Sequence, residues 1–193
     1  MMPLILASSS VYRKALLDKF QIPYQCYSPD IVEDRRPDES LAAMVLRLSL
    51  EKAQAASEKH PQAACIGSDA VAVLEGKILL GKPGNHATAV QQLTQMSGKT
   101  VEFYTGVCLY APSISYSRTE LVITSVIFRE LSLSMIENYC HKEKPYFSAG
   151  SFKSESLGAA LIQGFIGEDP NAMIGLPLIK LSEMLREIGI EVI

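Results

Sequence analysis

What this 193-residue chain lacks narrows its chemistry before any motif is read. It has no apolar run near the roughly 18 residues of a membrane span, which excludes an integral membrane helix. It has no basic surplus: 18 Lys and Arg against 21 Asp and Glu leave a net charge of −3 and a pI ≈ 5.7, so a nucleic-acid polymer is not an expected partner. Its start, Met-Met-Pro-Leu-Ile-Leu-Ala-Ser-Ser-Ser, carries neither the basic nor the apolar region of a secretory signal, and a cytoplasmic protein is expected. The four cysteines (Cys26, Cys65, Cys108 and Cys140) form no Cys-x-x-Cys pair, which argues for reduced, mostly buried thiols. The three histidines (His60, His86 and His141) stand at no metal-ligand spacing from one another or from a cysteine. A histidine-rich transition-metal site is therefore not expected, and any metal should be held by carboxylates and phosphates.

What is present is the composition of an ordinary globular protein, 48% hydrophobic and 20% charged, at about the length of one domain. No repeat or linker interrupts it, so residues 1–193 are read as a single domain. The apolar run Leu4 to Ala7 reads as a strand that passes through Ser8-Ser9-Ser10 into a helix carrying Leu16, Leu17 and Phe20. A short strand near Tyr24 to Tyr27 and a charged loop from Asp30 to Glu39 precede a second helix with Leu41, Met44, Val45, Leu48 and Ala55 at helical spacing. Cys65 to Leu74 and Lys77 to Leu80, joined by Glu75-Gly76, read as a hairpin. Asn85 caps a helix reaching Met96, and two alternating strands follow, around residues 101–109 and 119–128. Ser134 with Glu137 resembles a capping box, and Leu176-Pro177 opens a final amphipathic helix. Helices mixed with hairpins and strand-helix units predict an α/β fold, a mixed central sheet flanked by helices, with a cleft.

Four segments carry residues suited to chemistry. Ser8 to Ser10 with Arg13 can meet a phosphate with hydroxyls and a bidentate guanidinium, or simply cap a helix. Gly67-Ser68-Asp69 puts a carboxylate at a strand end, where it can bind a cation or take a proton from water, or make a turn. Gly81-Lys82-Pro83 fixes a point charge, which in most turns is only solvated, and Lys52 and Glu33 have the same plain reading as exposed charges. Ala149 to Glu155 can shape a base pocket in which Glu155 accepts from ring N–H groups, or be an ordinary Gly-Ser turn. Pattern alone leaves each pair of readings open.

Taken together, Leu6-Ala7-Ser8-Ser9-Ser10 with Arg13, Gly67-Ser68-Asp69, Gly81-Lys82-Pro83, Phe103-Tyr104-Thr105-Gly106, Ala149-Gly150-Ser151-Phe152 and Gly175-Leu176-Pro177-Leu178 resemble the Maf family in order and spacing, over essentially the whole chain. The resemblance implies a nucleoside triphosphate pyrophosphatase that cuts between the α- and β-phosphates with a divalent metal, Mg²⁺ or Mn²⁺. It also implies a strongly bent mixed sheet with a deep cleft, like that of inosine triphosphate pyrophosphatases, and assembly as a homodimer. Carried over by residue, Asp69 matches the catalytic acid that activates water. Ser8, Arg13, Lys52 and Lys82 match phosphate-binding positions, and Glu33 joins Asp69 as a metal ligand. Tyr12 and Glu155 stand where the subgroup acting on dTTP and UTP has arginine and glutamine, and so the chain looks most like the branch acting on 7-methyl-GTP. An aromatic face attracts a methylated, cationic purine, and a carboxylate accepts from guanine N1–H and N2. The chain departs from that branch at Ala70 (usually glutamine), Val11 (proline), Tyr12 (tryptophan), Val32 (aspartate) and Ser156 (glycine). The alternatives are a dTTP/UTP pyrophosphatase, and a nucleotide-binding cell-division regulator without turnover.

Overall fold

The computed structural model of the chain describes residues 2–193. The first strand, β1 (Leu4–Leu6), is buried at every position, because both of its faces are covered. It pairs in parallel with β2 (Gln25–Cys26) and with β3 (Ala64–Leu74). The other strands are β4 (Ile78–Leu80), β5 (Thr100–Ala111), β6 (Tyr116–Phe128) and β7 (Ile162–Ile166). They complete a 7-stranded sheet in the order β2-β1-β3-β5-β6-β7, with β4 paired antiparallel to β3. The β6–β7 pair is also antiparallel, so the sheet is mixed, as the sequence predicts. The helices are α1 (Val11–Leu17), α2 (Leu41–Lys59), α3 (His86–Met96), α4 (Leu133–Glu143) and α5 (Leu178–Glu187). None of them is long and apolar enough to cross a membrane.

The chain divides into two compact units, one of Met1–Asp69, Thr105–Val122 and Asp169–Ile193, the other of Ala70–Tyr104 and Ile123–Glu168. In the first, strand alternation sorts the core into two layers. Leu4, Leu6, Ala64, Ile66, Val107 and Leu109 pack with Leu16 and Leu17 of α1 and with Leu178, Leu181, Met184 and Leu185 of α5. Ile5, Ala7, Cys65 and Cys108 pack on the opposite layer against Ala53 and Ala56 of α2. Fully burying side chains of Leu, Ile or Met size stabilises by roughly 1.5–3 kcal/mol each. The alanines of the second layer contribute less area but let α2 approach the strands closely. Phe20, expected in the first helix, belongs to a short 3-10 turn, Asp18–Phe20, that closes it.

The second unit holds the expected β3–β4 hairpin, whose turn places Glu75 and Gly76 at φ 54 and 69, a conformation that suits glycine. Phe152 packs its ring on Phe103 and Phe128, at centroid distances of 5.8 and 5.1 Å, and α3 packs against α4. The capping box expected at Ser134 is displaced. Ser132 is the N-cap of α4, its hydroxyl accepting from the Met135 N–H, because this phase turns Ile136, Tyr139 and Cys140 inward. Glu137 is thereby released from capping.

Candidate active site

Two glycines set the site's geometry. A Cβ on Gly67 would stand 1.9 Å from the Ser49 carbonyl oxygen, and one on Gly106 would stand 2.4 Å from the Ser49 hydroxyl. Only bare backbone at both positions lets α2 lie this close to β3 and β5. Ser49 then serves as a peg: its hydroxyl donates to Val45 O at 2.8 Å and accepts from Asp69 N at 3.0 Å. One turn further along α2, Lys52 reaches the same strand.

The Lys52 ammonium lies 2.7 Å from Asp69 Oδ1 and 2.9 Å from Glu33 Oε1. Lys52 and Asp69 are each only 7% exposed, so the reading of Lys52 as a solvated surface charge is overturned. Asp69 also lies within β3 rather than at its end, since the strand continues to Leu74. Burial draws the Arg13 guanidinium below its ordinary pKa while Asp69 and Glu33 oppose the shift, which puts both carboxylates within its field. Arginine remains charged in proteins, so Arg13, Lys52, Asp69 and Glu33 form a cluster with two charges of each sign.

Arg13 is held from two sides. Its Nε donates to Gly175 O at 2.8 Å, and Nη1 lies 3.5 Å from Ser8 Oγ. The Ser68 hydroxyl is within 2.7 Å of Gly106 O and 2.9 Å of that same Gly175 O. Gly175 has φ 128 and opens the turn into α5. In the serine segment Ser10 caps α1, as one of the two readings expected, while Ser8 accepts from Ser10 N–H and touches Arg13. Sequence reasoning missed Asp169, buried at 1% exposure, whose carboxylate accepts from Asn171 N, Asn171 Nδ2 and Ile179 N. With Thr105 Oγ1 donating to Ala172 O, it fixes the loop that presents Gly175. The Asp169-Pro170 dipeptide, a turn initiator, was the available signal.

The loop carrying Glu33 is tied down by Arg47, which contacts both Glu39 oxygens at 2.6 and 2.8 Å and Glu51 at 2.9 Å. Val32 is 75% exposed, and beside it a pocket of about 530 Å³ is lined by Ile31, Arg35, Arg36 and Arg47 among others. Hydrogen bonding to Arg47 lowers the Glu39 carboxyl to about 2. A depressed carboxylate stabilises the fold above its ordinary pKa and loses that contribution as pH falls through the folded value. Stability is therefore expected to fall from about pH 4.5 towards pH 2, and in Glu39→Gln this part of the acid limb should flatten in thermal melts at stepped pH.

The remaining candidates belong to the second unit. Lys82 is exposed in a loop whose Gly81 carbonyl accepts from Gln92 Nε2 and Gly150 N–H. Ala70 follows Asp69 on β3, and strand alternation turns it to the opposite face. Of the supposed base pocket, Phe152 is core, Ser151 is buried, and Lys153 is bound to Glu143, while Glu155 is exposed. Tyr12, by contrast, belongs to the first unit and is half-buried on α1.

All four thiols are free, and only Cys26 is exposed. Burial pushes Cys65, Cys108 and Cys140 up to about 11. A thiol reagent at neutral pH should label one cysteine quickly in the native protein and four after denaturation. Rapid native labelling of more than one would contradict the burial.

These elements define an α/β protein with two carboxylates and two cations gathered against a close-packed strand and helix. The chain belongs to the Maf family: the family model for Maf-like proteins matches residues 3–188. It is 50% identical over 190 residues to a 7-methyl-GTP pyrophosphatase of Nitrosospira multiformis, covering 98% of this chain and 96% of that one. It is 48% identical over 191 residues to the protein of the same name from Pseudoalteromonas translucida, covering 99% and 94% of the two chains. With that of Methylobacillus flagellatus it shares 47% over 193 residues, the full length of both. It is also similar to the solved structure of a HAM1 protein from Coxiella burnetii, at 13% identity and TM-score 0.49 over 68% of this chain and 75% of that one.

Proposed function

We propose that the protein is a nucleoside triphosphate pyrophosphatase that hydrolyses 7-methyl-GTP, or a closely related modified nucleotide, to the monophosphate and pyrophosphate. The observation that carries this reading is the Lys52–Asp69 pair, buried beside Arg13 and Glu33, in a chain whose full-length relatives bear that name. Asp69 is the base: its carboxylate takes the proton of the water whose oxygen enters as the anhydride bond between the α- and β-phosphates breaks, and pyrophosphate leaves. Lys52, fixed at 2.7 Å, orients that carboxylate. Arg13 and Ser8 meet phosphate oxygens, the guanidinium being already aimed by its bond to Gly175 O.

Charge balance calls for more cations than this unit supplies. Arg13 and Lys52 only offset Asp69 and Glu33, whereas a triphosphate brings about four negative charges, so a divalent ion is assigned to it, and Lys82 stays a phosphate-binding candidate on the family resemblance alone. Two carboxylates without imidazole or thiol are a donor set that fits a hard ion, Mg²⁺ or Mn²⁺, and Asp69 and Glu33 would hold it. When bound, the ion supplies charge neutralisation along the phosphates. Tyr12 offers a ring face to the cationic base, and Glu155 an acceptor to guanine.

The test is a panel of 7-methyl-GTP, GTP, UTP and dTTP with Mg²⁺ or Mn²⁺, read as pyrophosphate against orthophosphate. Highest kcat/KM on 7-methyl-GTP with pyrophosphate as product is expected, and Tyr12→Arg with Glu155→Gln should cut that preference by about tenfold or more. Equal turnover of UTP, or orthophosphate alone, defeats the assignment.

A further inference from the structure

Three side chains that look unrelated in sequence meet where α3 packs on α4. His86 is the first residue of α3, and Glu137 and His141 stand one turn apart on α4. His86 Nε2 lies 2.7 Å and His141 Nε2 3.6 Å from the same carboxylate oxygen, Glu137 Oε2. One ligand atom of each residue lies within 4.8 Å of the others. The two imidazoles overlap at a centroid distance of 4.7 Å with planes 32° apart. The absence of any metal-ligand spacing among the histidines is thus a property of the sequence and not of the fold.

The geometry points to a binding site for one divalent transition-metal ion, of the zinc, cobalt or nickel class, with His86, Glu137 and His141 as its ligands. Two imidazoles and a carboxylate are the donors that such ions prefer and that Mg²⁺ does not. Metal–ligand bonds of about 2.0–2.2 Å at tetrahedral to square angles separate neighbouring ligand atoms by about 3–3.5 Å, and the two observed separations straddle that range. Small side-chain rotations bring all three into place. Residues spaced i and i+4 present both α4 ligands on one face, and α3 supplies the third from across the helix pair. The remaining nitrogen of His86, Nδ1, lies 3.2 Å from the Tyr146 hydroxyl. With a metal in place of the Nε2 proton, Nδ1–H would donate to this tyrosine oxygen and hold the ring in its ligating orientation. In the metal-free protein the His86–Glu137 hydrogen bond, the i,i+4 approach of His141 to the same carboxylate and the ring contact between the two imidazoles already hold the three donors together. With side chains 34%, 39% and 72% exposed, water completes the coordination. The bound ion would staple α3 to α4.

The experiment uses the full-length protein, stripped with chelator and titrated with Co²⁺ and then Zn²⁺ in millimolar Mg²⁺. One equivalent of Co²⁺ should bind with a visible d–d spectrum, be displaced by Zn²⁺, and Zn²⁺ should raise Tm by several degrees. His86→Gln and His141→Gln should each weaken binding by about tenfold or more, and Tyr146→Phe by less. Cys26→Ser and Asp69→Asn should leave the titration unchanged, separating this site from a thiolate and from the oxygen ligands of the first unit. Because His141 is mostly exposed, its replacement should spare the fold, so that variant alone is decisive. No Co²⁺ spectrum below millimolar metal, undiminished binding in His141→Gln, or a thiolate charge-transfer band overturns the assignment.

Discussion

Asp69→Asn should yield a folded protein whose pyrophosphate release falls by about a thousandfold, the scale of losing a general base. The amide is the same size as the carboxylate and can accept from Lys52, and the bond from Asp69 N–H to Ser49 Oγ belongs to the backbone and survives. What disappears is the carboxylate proposed as the proton acceptor. Circular dichroism and Tm close to those of the wild type, together with collapsed turnover at saturating substrate, is the expected pair of results. Retained turnover would remove Asp69 from the role of base, and an unfolded variant would show that its charge is structural.

Lys52→Met should be the most destabilising single change in the site. The methionine fills similar volume but strips the cation from between two carboxylates, and one of these is buried. Glu33, with a side chain 59% exposed, can turn to water. Asp69, with 7% exposure and its backbone pinned to Ser49, cannot. Removing one partner of a fully buried pair costs about 3–5 kcal/mol, and partial access to water here brings the expectation to about 2–3 kcal/mol. For a chain of this size that is a Tm lowered by roughly 5–10 °C. Adding Asp69→Asn to Lys52→Met should restore part of the loss, because the stranded charge is gone, and the double-mutant cycle measures the coupling. A double-variant loss equal to the sum of the two single losses would mean that the pair contributes nothing. Lys52→Arg should not substitute, since a planar fork cannot occupy the place of a compact ammonium between the two acids.

The outer frame of this site was readable in the sequence because it rests on local pattern. The apolar run at residues 4–7, the turn at Glu75-Gly76 and the one-sided face of Leu178, Leu181, Met184 and Leu185 each follow from short-range periodicity or turn chemistry. Asp69, Arg13 and Ser8 could be nominated because glycine and serine punctuate their segments. The burial of Lys52 could not be, since it depends on how closely α2 lies on β3 and β5. That distance is set by two glycines far apart in sequence, whose need for bare backbone appears only when the helix is laid against them. Ser132 was passed over for Ser134 because both satisfy the cap rule locally, and only the inward turn of Ile136 and Tyr139 decides between them. The meeting of His86 with His141 is likewise a product of helix pairing, which no spacing rule along one chain records.

The carbonyl of Gly175 lies within hydrogen-bond reach of both Arg13 and Ser68, and so joins the first helix, the central strand and the turn before the last helix at one oxygen. On the ribosome, Arg13, Lys52 and Asp69 all emerge well before the acceptor that aims the guanidinium. A nascent chain paused before this turn holds the charged side chains without the alignment that makes them a site. The alignment of this cluster thus waits for the turn at Gly175, and a fragment shortened ahead of it should lack that alignment however well its remaining strands pair.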